Sequence, residues 1–474
     1  MNQDIVDLAI VGAGPAGLAA ATTAAALGLD VCLFDEQPWP GGQIYRGIDH
    51  PTALNSGDTR EREAGCALLL EFRQSKADYR PGTSVWHVGP GDDGQIDLGF
   101  SSNTETSMAS ARFVLFATGS VERPMPIPGW TLPGVMTAGA AQSMLKSSGI
   151  RPNGPIVMAG SGPLLYLCAD QLAEAGAPIK ALIDTTPSGR YIKVIRDLPG
   201  ALRSPAYLRR GLALLRAPAR HGIPVYRDIE AVEAFGDRQL CGVRWLRRGR
   251  WQEAECTHLL LHHGVMPHIN LPRMANCDME WSPRQHCWKP VIDAWGRSSV
   301  EGCWIAGDGA GISGGAAAAG FGHIAALGIA ADLGRMTVSE ANRLADIHRR
   351  ELAPLLALRP LLDNLYRPAD AYMLPADETL VCRCEDVTAG QIRKAVSDGC
   401  HGVEAIKLYT RCGMGHCQGR MCGSTVPEVI AAARGISVPE AGLYRQRTPV
   451  KPLPLTELAK LDVVLNGPSA EIRQ

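Results

Sequence analysis

The sequence is short of aromatic residues, of net charge and of uninterrupted apolar runs. Phe, Trp and Tyr make up 5% of the 474 residues, whereas glycine alone contributes 52. Lysine plus arginine (47) nearly balance aspartate plus glutamate (48), so we expect no nucleic-acid partner, and membrane association is not indicated. The first apolar stretch follows no basic segment and is broken by glycines, which excludes a signal peptide and predicts a cytoplasmic protein.

Cysteine is present but unevenly distributed. Of the 14 cysteines, six lie within residues 382–422. In a reducing compartment such clustering is more typical of metal binding than of a disulphide scaffold. We therefore expect a metal site near the C-terminus.

The length and the hydrophobic pattern predict several domains. Residues 5–35 and 155–184 each read as strand, glycine turn, helix and strand, and residues 303–326 read as a further strand, turn and buried helix. A chain of this length exceeds one ordinary core. The fold class predicted is α/β, with two Rossmann-like dinucleotide-binding domains and a small helical C-terminal domain.

The third pattern is expected to return to the first domain, so the second domain is an insertion. The predicted boundaries are a discontinuous first domain at 1–139 and 276–335, a second nucleotide-binding domain at 140–275, a connector at 336–376, a cysteine-bearing domain at 377–440 and a tail at 441–474.

The first glycine turn predicts a pyrophosphate site. It follows a strand and opens a helix, which directs backbone N–H groups and the positive end of the helix at a phosphate. Asp35 ends the next strand, where a carboxylate can accept hydrogen bonds from ribose hydroxyls, and Glu36 is the rival for that role. The turn consists of Gly12, Gly14, Pro15, Ala16 and Gly17, with Ala13 between the first two glycines.

Three further segments resemble the FAD-binding fingerprint of the glutathione reductase and thioredoxin reductase class. They are a Gly-Gly-Gln loop that ends in an arginine, an Ala-Thr-Gly turn after an apolar strand, and an Ile-Ala-Gly-Asp strand end. The resemblance implies that these segments hold the flavin and its phosphates. The residues predicted to do so are Gly42, Gln43, Arg46, Val85, Thr118, Gly119, Gly307 and Asp308.

The second unit carries a weaker nucleotide motif. Gly160 and Gly162 are present, but Leu165 replaces the third glycine, and Asp184 ends the next strand. If the site is functional, Asp184 favours NAD over NADP, because a carboxylate accepts a free 2′-hydroxyl. The alternative is a relic that binds no nucleotide.

A disulphide reductase needs two cysteines close in sequence that face the flavin. No CxxC or CxxxxC pair occurs outside the C-terminal segment, and the cysteines there are predicted to be small buried hydrophobes. The sequence therefore argues against disulphide reduction.

Two close cysteine pairs predict a [2Fe-2S] cluster. Cys382 and Cys384 form one pair and Cys417 and Cys422 the other, which suits a shell of four thiolates. A structural zinc is the alternative, although zinc ribbons favour CxxC pairs. Cys412 is the chief rival ligand, and it is expected outside the shell.

This cysteine segment resembles the bacterioferritin-associated-ferredoxin-like domain. A flavoprotein that ends in such a domain resembles the α subunits of heteromeric amine and amino-acid dehydrogenases. These include opine oxidase, hydrogen cyanide synthase, D-hydroxyproline and dye-linked L-proline dehydrogenases, and sarcosine oxidase.

The resemblance implies a division of labour. An FAD-containing β subunit, similar to D-amino-acid oxidase, would oxidise the substrate, and this chain would relay the electrons through FMN at the subunit interface and the [2Fe-2S] cluster. A small ferredoxin-like γ subunit is also expected. Some relatives hold NAD or ATP where FAD is expected. The alternatives are a self-contained NADH-dependent FAD/[2Fe-2S] reductase and a non-enzymatic scaffold.

Overall fold

The N-terminal part of the chain builds a sheet around its first strand. The structure, a computed structural model, describes residues 5–48, 59–103, 106–459 and 461. The elements of this part are β1 (Val6–Val11), α1 (Pro15–Ala26), β2 (Val31–Phe34), α2 (Thr59–Gln74), β3 (Asp78–Arg80), β4 (Ser84–Pro90), β5 (Ile96–Ser101), β6 (Thr106–Phe116) and β7 (Ser120–Glu122).

The strand order of the first sheet is β3-β2-β1-β6-β5-β4. The first four strands pair in parallel, and β5 and β4 pair antiparallel at one edge. The central strand β1 is almost entirely buried, because helices cover one face and the second apolar cluster covers the other. The glycine turn after β1 therefore lies at the carboxyl edge of a parallel sheet, where ligands bind in this class of fold.

The inserted domain is a second parallel sheet with a small antiparallel sheet beside it. Its parallel order is β11-β10-β9-β15-β8, and β12, β13 and β14 form the antiparallel sheet. Its elements are β8 (Val135–Thr137), α3 (Ala138–Ser148), β9 (Ile156–Gly160), α4 (Pro163–Glu174), β10 (Ile179–Asp184), α5 (Gly189–Lys193), α6 (Leu198–Ala201), α7 (Pro205–Arg220), β11 (Val225–Tyr226), β12 (Ile229–Gly236), β13 (Leu240–Arg247), β14 (Arg250–Glu255), β15 (His258–His262) and β16 (Val265–Pro267).

The chain then returns to the first sheet. It forms α8 (Asn270–Met274), β17 (Met279–Ser282), β18 (Cys287–Pro290), β19 (Cys303–Ile305), α9 (Gly315–Asp332) and α10 (Val338–Leu365). Strand β19 pairs in parallel with β6, which makes it the seventh strand of the first sheet. Helix α10 continues through Pro354 and Pro360 to Leu365.

Helices α1 and α9 pack with almost no side chain between them. A Cβ atom on Gly322 of α9 would lie 2.1 Å from the carbonyl oxygen of Ala16, and one on Gly17 would lie 1.8 Å from that of Gly12. Glycine is therefore required at both positions, since any side chain would separate the backbones. In the described part of the chain, α9 is the one helix long and apolar enough to cross a membrane, and 56% of it is buried in this core.

The C-terminal domain is a small helical unit with its own apolar core. Thr388 and Gln391 form a capping box at the start of its first helix. Its core includes Ala441 and Tyr444, so it extends past the predicted boundary at 440. The tail from residue 462 lies outside the described residues. The elements are β20 (Leu380–Cys382), β21 (Val387–Thr388), α11 (Ala389–Ser397), α12 (Val403–Thr410), α13 (Thr425–Arg434), α14 (Val438–Ala441) and α15 (Leu455–Leu458).

Replacing Gly322 with alanine should destabilise the first domain. The added methyl group would meet a backbone oxygen that cannot move without disturbing α1, so we expect a loss of about 1–3 kcal/mol in the free energy of unfolding. Thermal unfolding of Gly322→Ala should show a lower midpoint. Gly211 of α7, another helical glycine, is the matched control, because a Cβ there meets nothing within 4 Å. An unchanged midpoint for Gly322→Ala would contradict the packing argument.

Candidate cofactor sites

The first glycine turn is held open for a phosphate. Helix α1 begins at Pro15 after Gly14, and no side chain caps its first N–H groups. Gly12 has a φ of +108°, and a Cβ there would lie 2.5 Å from the carbonyl oxygen of Ala117. Gly42 from the following loop faces Gly14, and a Cβ on Gly42 would lie 2.8 Å from the Cα of Gly14. Free N–H groups beside bare backbone form the type of cradle that pyrophosphate requires.

The acidic residues after β2 are both occupied by protein partners. The Asp35 carboxylate accepts hydrogen bonds from the backbone N–H groups of Ala13, at 2.5 Å, and Gln37, at 2.6 Å. Burial raises the pKa of Asp35, although these two N–H groups oppose the shift. Glu36 is exposed and forms an ion pair with Lys451 from the C-terminal segment. Asp35 therefore stabilises the glycine turn, and its predicted contact with ribose stays a prediction.

Lys451 is a residue that sequence reasoning missed. The segment before it crosses β4, where Val450 donates its N–H to the carbonyl of Trp86, and the Lys451 ammonium also donates to Ser84 at 3.1 Å. Burial alone would raise the pKa of Glu36, but Lys451 and more distant cations lower it. No sequence signal joins a lysine near the C-terminus to a strand more than 360 residues earlier.

The flavin-type residues meet at one large cavity of about 960 Å³. Asp308 shapes its wall by accepting the N–H groups of Ser313 and Gly314, each at 2.8 Å, just before α9. Arg46 donates to Gln37, but its Nε has no acceptor among the described residues. The predicted first-site residues that line the cavity are Gly12, Gly14, Pro15, Ala16, Asp35, Glu36, Gly42, Gln43, Arg46, Val85, Thr118, Gly119, Gly307 and Asp308.

This cavity fits a flavin dinucleotide. Its volume is at the upper end of the range for cofactor sites. It combines a glycine cradle, a buried cation with a free N–H, and the uncapped start of α9 at Gly314. Gly17 packs behind the turn instead of lining the cavity. Thr118 uses its hydroxyl to donate to the carbonyl of His268 at 2.8 Å, so its side chain has a structural role.

The second nucleotide motif is filled by the protein itself. Asp184 is fully buried, and its carboxylate accepts hydrogen bonds from the Tyr166 hydroxyl at 2.7 Å and from the N–H of Thr186 at 2.9 Å. Gly160 packs against the carbonyl of His262, and Leu165 is buried. Of the predicted residues only Gly162 lines the large cavity. The aspartate expected to bind an NAD ribose is therefore closed off from solvent.

A buried His–Glu pair occupies the space between the two nucleotide domains. His262 Nδ1 lies 2.6 Å from Glu122 Oε1, and the other oxygen of Glu122 accepts the N–H of Gly139. Both residues line the large cavity. Sequence reasoning missed this pair because its members lie 140 residues apart on β15 and β7.

The C-terminal cysteines form two adjacent thiol groups. The sulphur atoms of Cys382, Cys412 and Cys422 all lie within 4.8 Å of one another and are buried. The side chains of Cys384 and Cys417 contact each other beside them. The Cys412 and Cys422 thiols donate to Cys382 and lower its pKa to about 2. All four predicted ligands are therefore close together, and the donor set suits a [2Fe-2S] cluster.

The structure differs from the sequence analysis over Cys412. This cysteine was expected outside the shell, but its thiol lies with those of Cys382 and Cys422. The cause is local: Arg411, with a φ of +65°, ends α12 in the left-handed conformation, and Gly413, at +89°, turns the chain again. These two turns direct Cys412 inward.

The cysteine loop borders the large cavity. Cys417, Arg420 and Met421 line the same space as Gly12 and Asp308. Arg420 donates from Nε to the carbonyl of Cys417 at 3.0 Å, which holds the loop. A group bound by these thiols would therefore sit next to a group bound at the glycine turn.

Two isolated cysteines meet elsewhere. Cys277 and Cys303, far apart in sequence, contact each other in the core of the first domain. Neither cysteine lines the large cavity. Cys303 lies at the start of β19, and Asp308, which does line the cavity, follows the end of the same strand. Outside the C-terminal cysteine loop, no contacting pair of cysteines lines the cavity among the described residues.

Serine substitutions can distinguish the cysteines that bind iron from those that only lie beside them. We expect Cys382→Ser to lose the bound iron, because a thiolate ligand is removed, and Cys412→Ser to keep about two iron atoms per chain. Iron and acid-labile sulphide analysis of each purified variant measures this. Cys400→Ser is the matched control, since Cys400 lies beyond the end of α11 and outside both thiol groups. If Cys412→Ser lost its iron and Cys384→Ser kept it, Cys412 would be a ligand in place of Cys384, and the prediction would be wrong.

Comparisons with known proteins agree with this arrangement. Residues 6–331 match the pyridine nucleotide-disulphide oxidoreductase family, and residues 376–460 match the sarcosine oxidase A3 domain. The chain is 41% identical over 470 residues to an opine oxidase subunit of Agrobacterium tumefaciens (strain Ach5), covering 97% of this chain and 92% of that protein. It is 32% identical to the hydrogen cyanide synthase subunit HcnB of Pseudomonas aeruginosa, covering 95% and 98%.

More distant similarities confirm the fold. The sarcosine oxidase alpha subunit of Rhizobium meliloti (strain 1021) is 27% identical, with 92% of this chain covering 40% of that protein. L-proline dehydrogenase from P. horikoshii superposes with a TM-score of 0.70 at 20% identity, covering 96% and 80% of the two chains. The chain therefore belongs to the pyridine nucleotide-disulphide oxidoreductase family, as a flavoprotein oxidoreductase homologous to subunits of opine oxidase, hydrogen cyanide synthase and sarcosine oxidase.

Proposed function

We propose that this chain is the electron-transfer subunit of a hetero-oligomeric, flavin-dependent amine or amino-acid dehydrogenase. The observation that carries the proposal is the shared cavity, in which the cysteine loop at Cys417 borders the site of the glycine turn at Gly12. A flavin can accept electrons in pairs and release them one at a time, and a [2Fe-2S] cluster carries one electron, so the two neighbouring sites would suit stepwise electron transfer.

Each cofactor is proposed for a separate part of the chain. FAD is proposed for the cavity at Gly12, Arg46 and Asp308, with NAD or ATP as the rival ligands, and the [2Fe-2S] cluster is proposed for the cysteine loop. FMN at the interface with a partner is proposed from the likeness to the heteromeric dehydrogenases. The names of the relatives support a partner, since they are described as subunits.

The proposed partners are an FAD-containing β subunit similar to D-amino-acid oxidase and a small ferredoxin-like γ subunit. The opine, hydroxyproline and proline type of substrate is proposed because relatives of this chain are named for opine oxidation and an L-proline dehydrogenase shares the fold. The substrate would be oxidised in the β subunit. A cytoplasmic location is proposed for the complex.

The self-contained NADH reductase is disfavoured by the second domain. It needs an open nucleotide site there, but Asp184 is fully buried beneath Tyr166. Binding NAD through this carboxylate would require breaking a buried hydrogen bond and moving an aromatic side chain out of the core. The electrons are therefore proposed to come from the partner.

A purified chain should carry both cofactor types without NADH activity. We expect flavin absorption, about two iron atoms per chain and negligible dye reduction by NADH, with dye reduction by amino acid appearing only after co-expression with the β subunit. Absorbance, iron analysis and a dye assay measure these in one preparation. Rapid NADH turnover by the isolated chain would overturn the proposal, and absence of both flavin and iron would leave the scaffold as the better description.

An exposed apolar face supports the partner assignment. The helical residues 189–202 pack Val194 and Ala201 against α10. Their outer face presents Ile192, Ile195 and Leu202, which are 73%, 58% and 66% exposed. Residues 190–220 carry eight lysines and arginines against one aspartate. An apolar centre with a basic rim fits a partner subunit with an acidic, partly apolar surface.

The double substitution Ile192→Asp and Leu202→Asp should prevent assembly. It places charges at the centre of the apolar face without touching the cavity, so we expect the chain to fold with its cofactors but to lose co-purification with the β subunit. Affinity capture of the co-expressed subunits measures this. Leu455→Asp is the matched control, because Leu455 is 80% exposed at a separate site. An intact complex would remove this face from the interface.

A further inference from the structure

A second, smaller cavity lies between the first domain and the cysteine loop. Its volume is about 80 Å³. The end of β16, helix α8 and the β17–β18 hairpin form one side, and the loop at Gly419, Arg420 and Gly423 forms the other. Gly419 and Arg420 lie between Cys417 and Cys422, and Gly423 directly follows Cys422. The cavity therefore touches the backbone that holds the cysteines.

The lining of this cavity is cationic. Arg123, Arg273 and Arg420 line it, and no aspartate or glutamate is among its described lining residues. Arg123 is 5% exposed, donates from Nη2 to the carbonyl of Gln285 at 3.1 Å and contacts the Cys287 thiol. It has no carboxylate partner among the described residues. A buried guanidinium without a counter-ion is costly, so its surroundings call for an anion.

Several buried hydrogen-bond donors on this wall also lack acceptors. The Arg123 Nε, the Asn270 amide nitrogen and the Trp288 indole N–H are buried and have no hydrogen-bond partner in the described part of the protein, and the same is true of the Ser424 hydroxyl. All four residues line the cavity. Buried donors are rarely left unpaired in folded proteins. Their presence in the lining of one cavity favours a ligand that offers several oxygen acceptors.

The nearest acidic residue is already paired. Glu428 of α13 binds His286 Nε2 at 2.6 Å, and His286 also contacts Arg367 through Nδ1 at 3.0 Å. This pair fixes the cysteine domain against the β17–β18 hairpin. Glu428 therefore makes no direct contact with Arg123, and its charge favours the guanidinium only from a distance.

The size of the cavity decides the class of ligand. A flavin or a nucleotide needs several hundred cubic ångströms, whereas this cavity holds only a few water-sized groups. Water alone could accept from the donors but would add no negative charge beside the three arginines, which, among the described residues, form no ion pair with a carboxylate across the cavity. We propose that this pocket binds a small oxyanion, either a carboxylate or an inorganic tetrahedral anion, through Arg123, Asn270 and Trp288.

An anion here would affect the cysteine loop. Arg420 lines the pocket and donates to the carbonyl of Cys417, so the anion would share a cation with that loop. Negative charge near an iron–sulphur cluster disfavours its reduction. This consequence rests on the proposed function, and it makes the pocket a site through which an anion lowers the reduction potential of the cluster.

The binding test uses calorimetry on the full chain, purified with its cofactors. Sodium phosphate, sulphate and acetate are titrated separately into protein in chloride buffer of matched ionic strength. We expect saturable binding with one site per chain, and the arm that binds most tightly identifies the tetrahedral or the planar anion. Absence of saturable binding in all three arms would mean a water-filled pocket and overturn the proposal.

Two variants connect binding to this pocket. Arg123→Gln removes the charge and should weaken binding by about tenfold or more, and Trp288→Phe removes a single N–H and should weaken it severalfold while keeping the ring. Arg250→Gln is the control, because Arg250 is exposed on β14, and it should leave binding unchanged. If Arg123→Gln fails to fold, Trp288→Phe decides. Unweakened binding in Trp288→Phe and in any folded Arg123→Gln would place the anion elsewhere.

The redox consequence has a separate measurement. Redox titration followed by electron paramagnetic resonance should give a lower midpoint potential for the cluster with the bound anion than with chloride, and the Arg123→Gln or Trp288→Phe variant should reduce the difference. A chain without iron would fail this measurement yet could still bind the anion by calorimetry. The two outcomes therefore separate failure of the pocket from failure of the proposed function.

Discussion

The close approach of α1 and α9 is the contact on which the first domain depends. The two helices belong to segments about 300 residues apart, and they meet backbone to backbone at Ala16 and Gly322. This contact allows β19 to join the sheet beside β6 and brings Asp308 to the cavity that Gly12 opens. The inserted domain lies between these two segments in sequence. The flavin-type site therefore forms only when both parts of the first domain have come together.

The cysteine domain depends on this arrangement in turn. Hydrogen bonds connect it to the rest of the chain. His286 contacts Glu428, and the Trp130 indole N–H donates to the carbonyl of Leu380 at 2.7 Å. The thiol groups are packed inside the domain, but Cys417 faces the shared cavity. The near-zero net charge of the chain gives no sign of the smaller cavity, which arginines from three parts of the sequence line. Global charge thus predicted the absence of a polyanionic partner but carried no information on a local anion site.

The features predicted correctly from sequence are those set by short-range constraints. Both βαβ units and the return strand before Asp308 follow from hydrophobic period and glycine spacing within a few residues. The features that were missed depend on tertiary contacts. Lys451 reaches Glu36 across more than 400 residues, and Asp184 is enclosed by Tyr166, whose side-chain direction is set by packing. Cys412 was misplaced because two left-handed residues reverse the chain around it, and only Gly413 gave a sequence hint of this.

The segment after the last cysteine helix ties distant parts of the molecule together. Tyr444 packs against Gly413, Gly419 and Gly423 of the cysteine loop, and seven residues later Lys451 pairs with Glu36 at the far end of the cavity. A single extended stretch thus contacts both the cysteine loop and the rim of the glycine-turn cavity. For protein engineering this means that a shortened gene ending at residue 440 would not release an independently folded cysteine domain. It would remove Tyr444 from the cysteine loop and Lys451 from Glu36 at once.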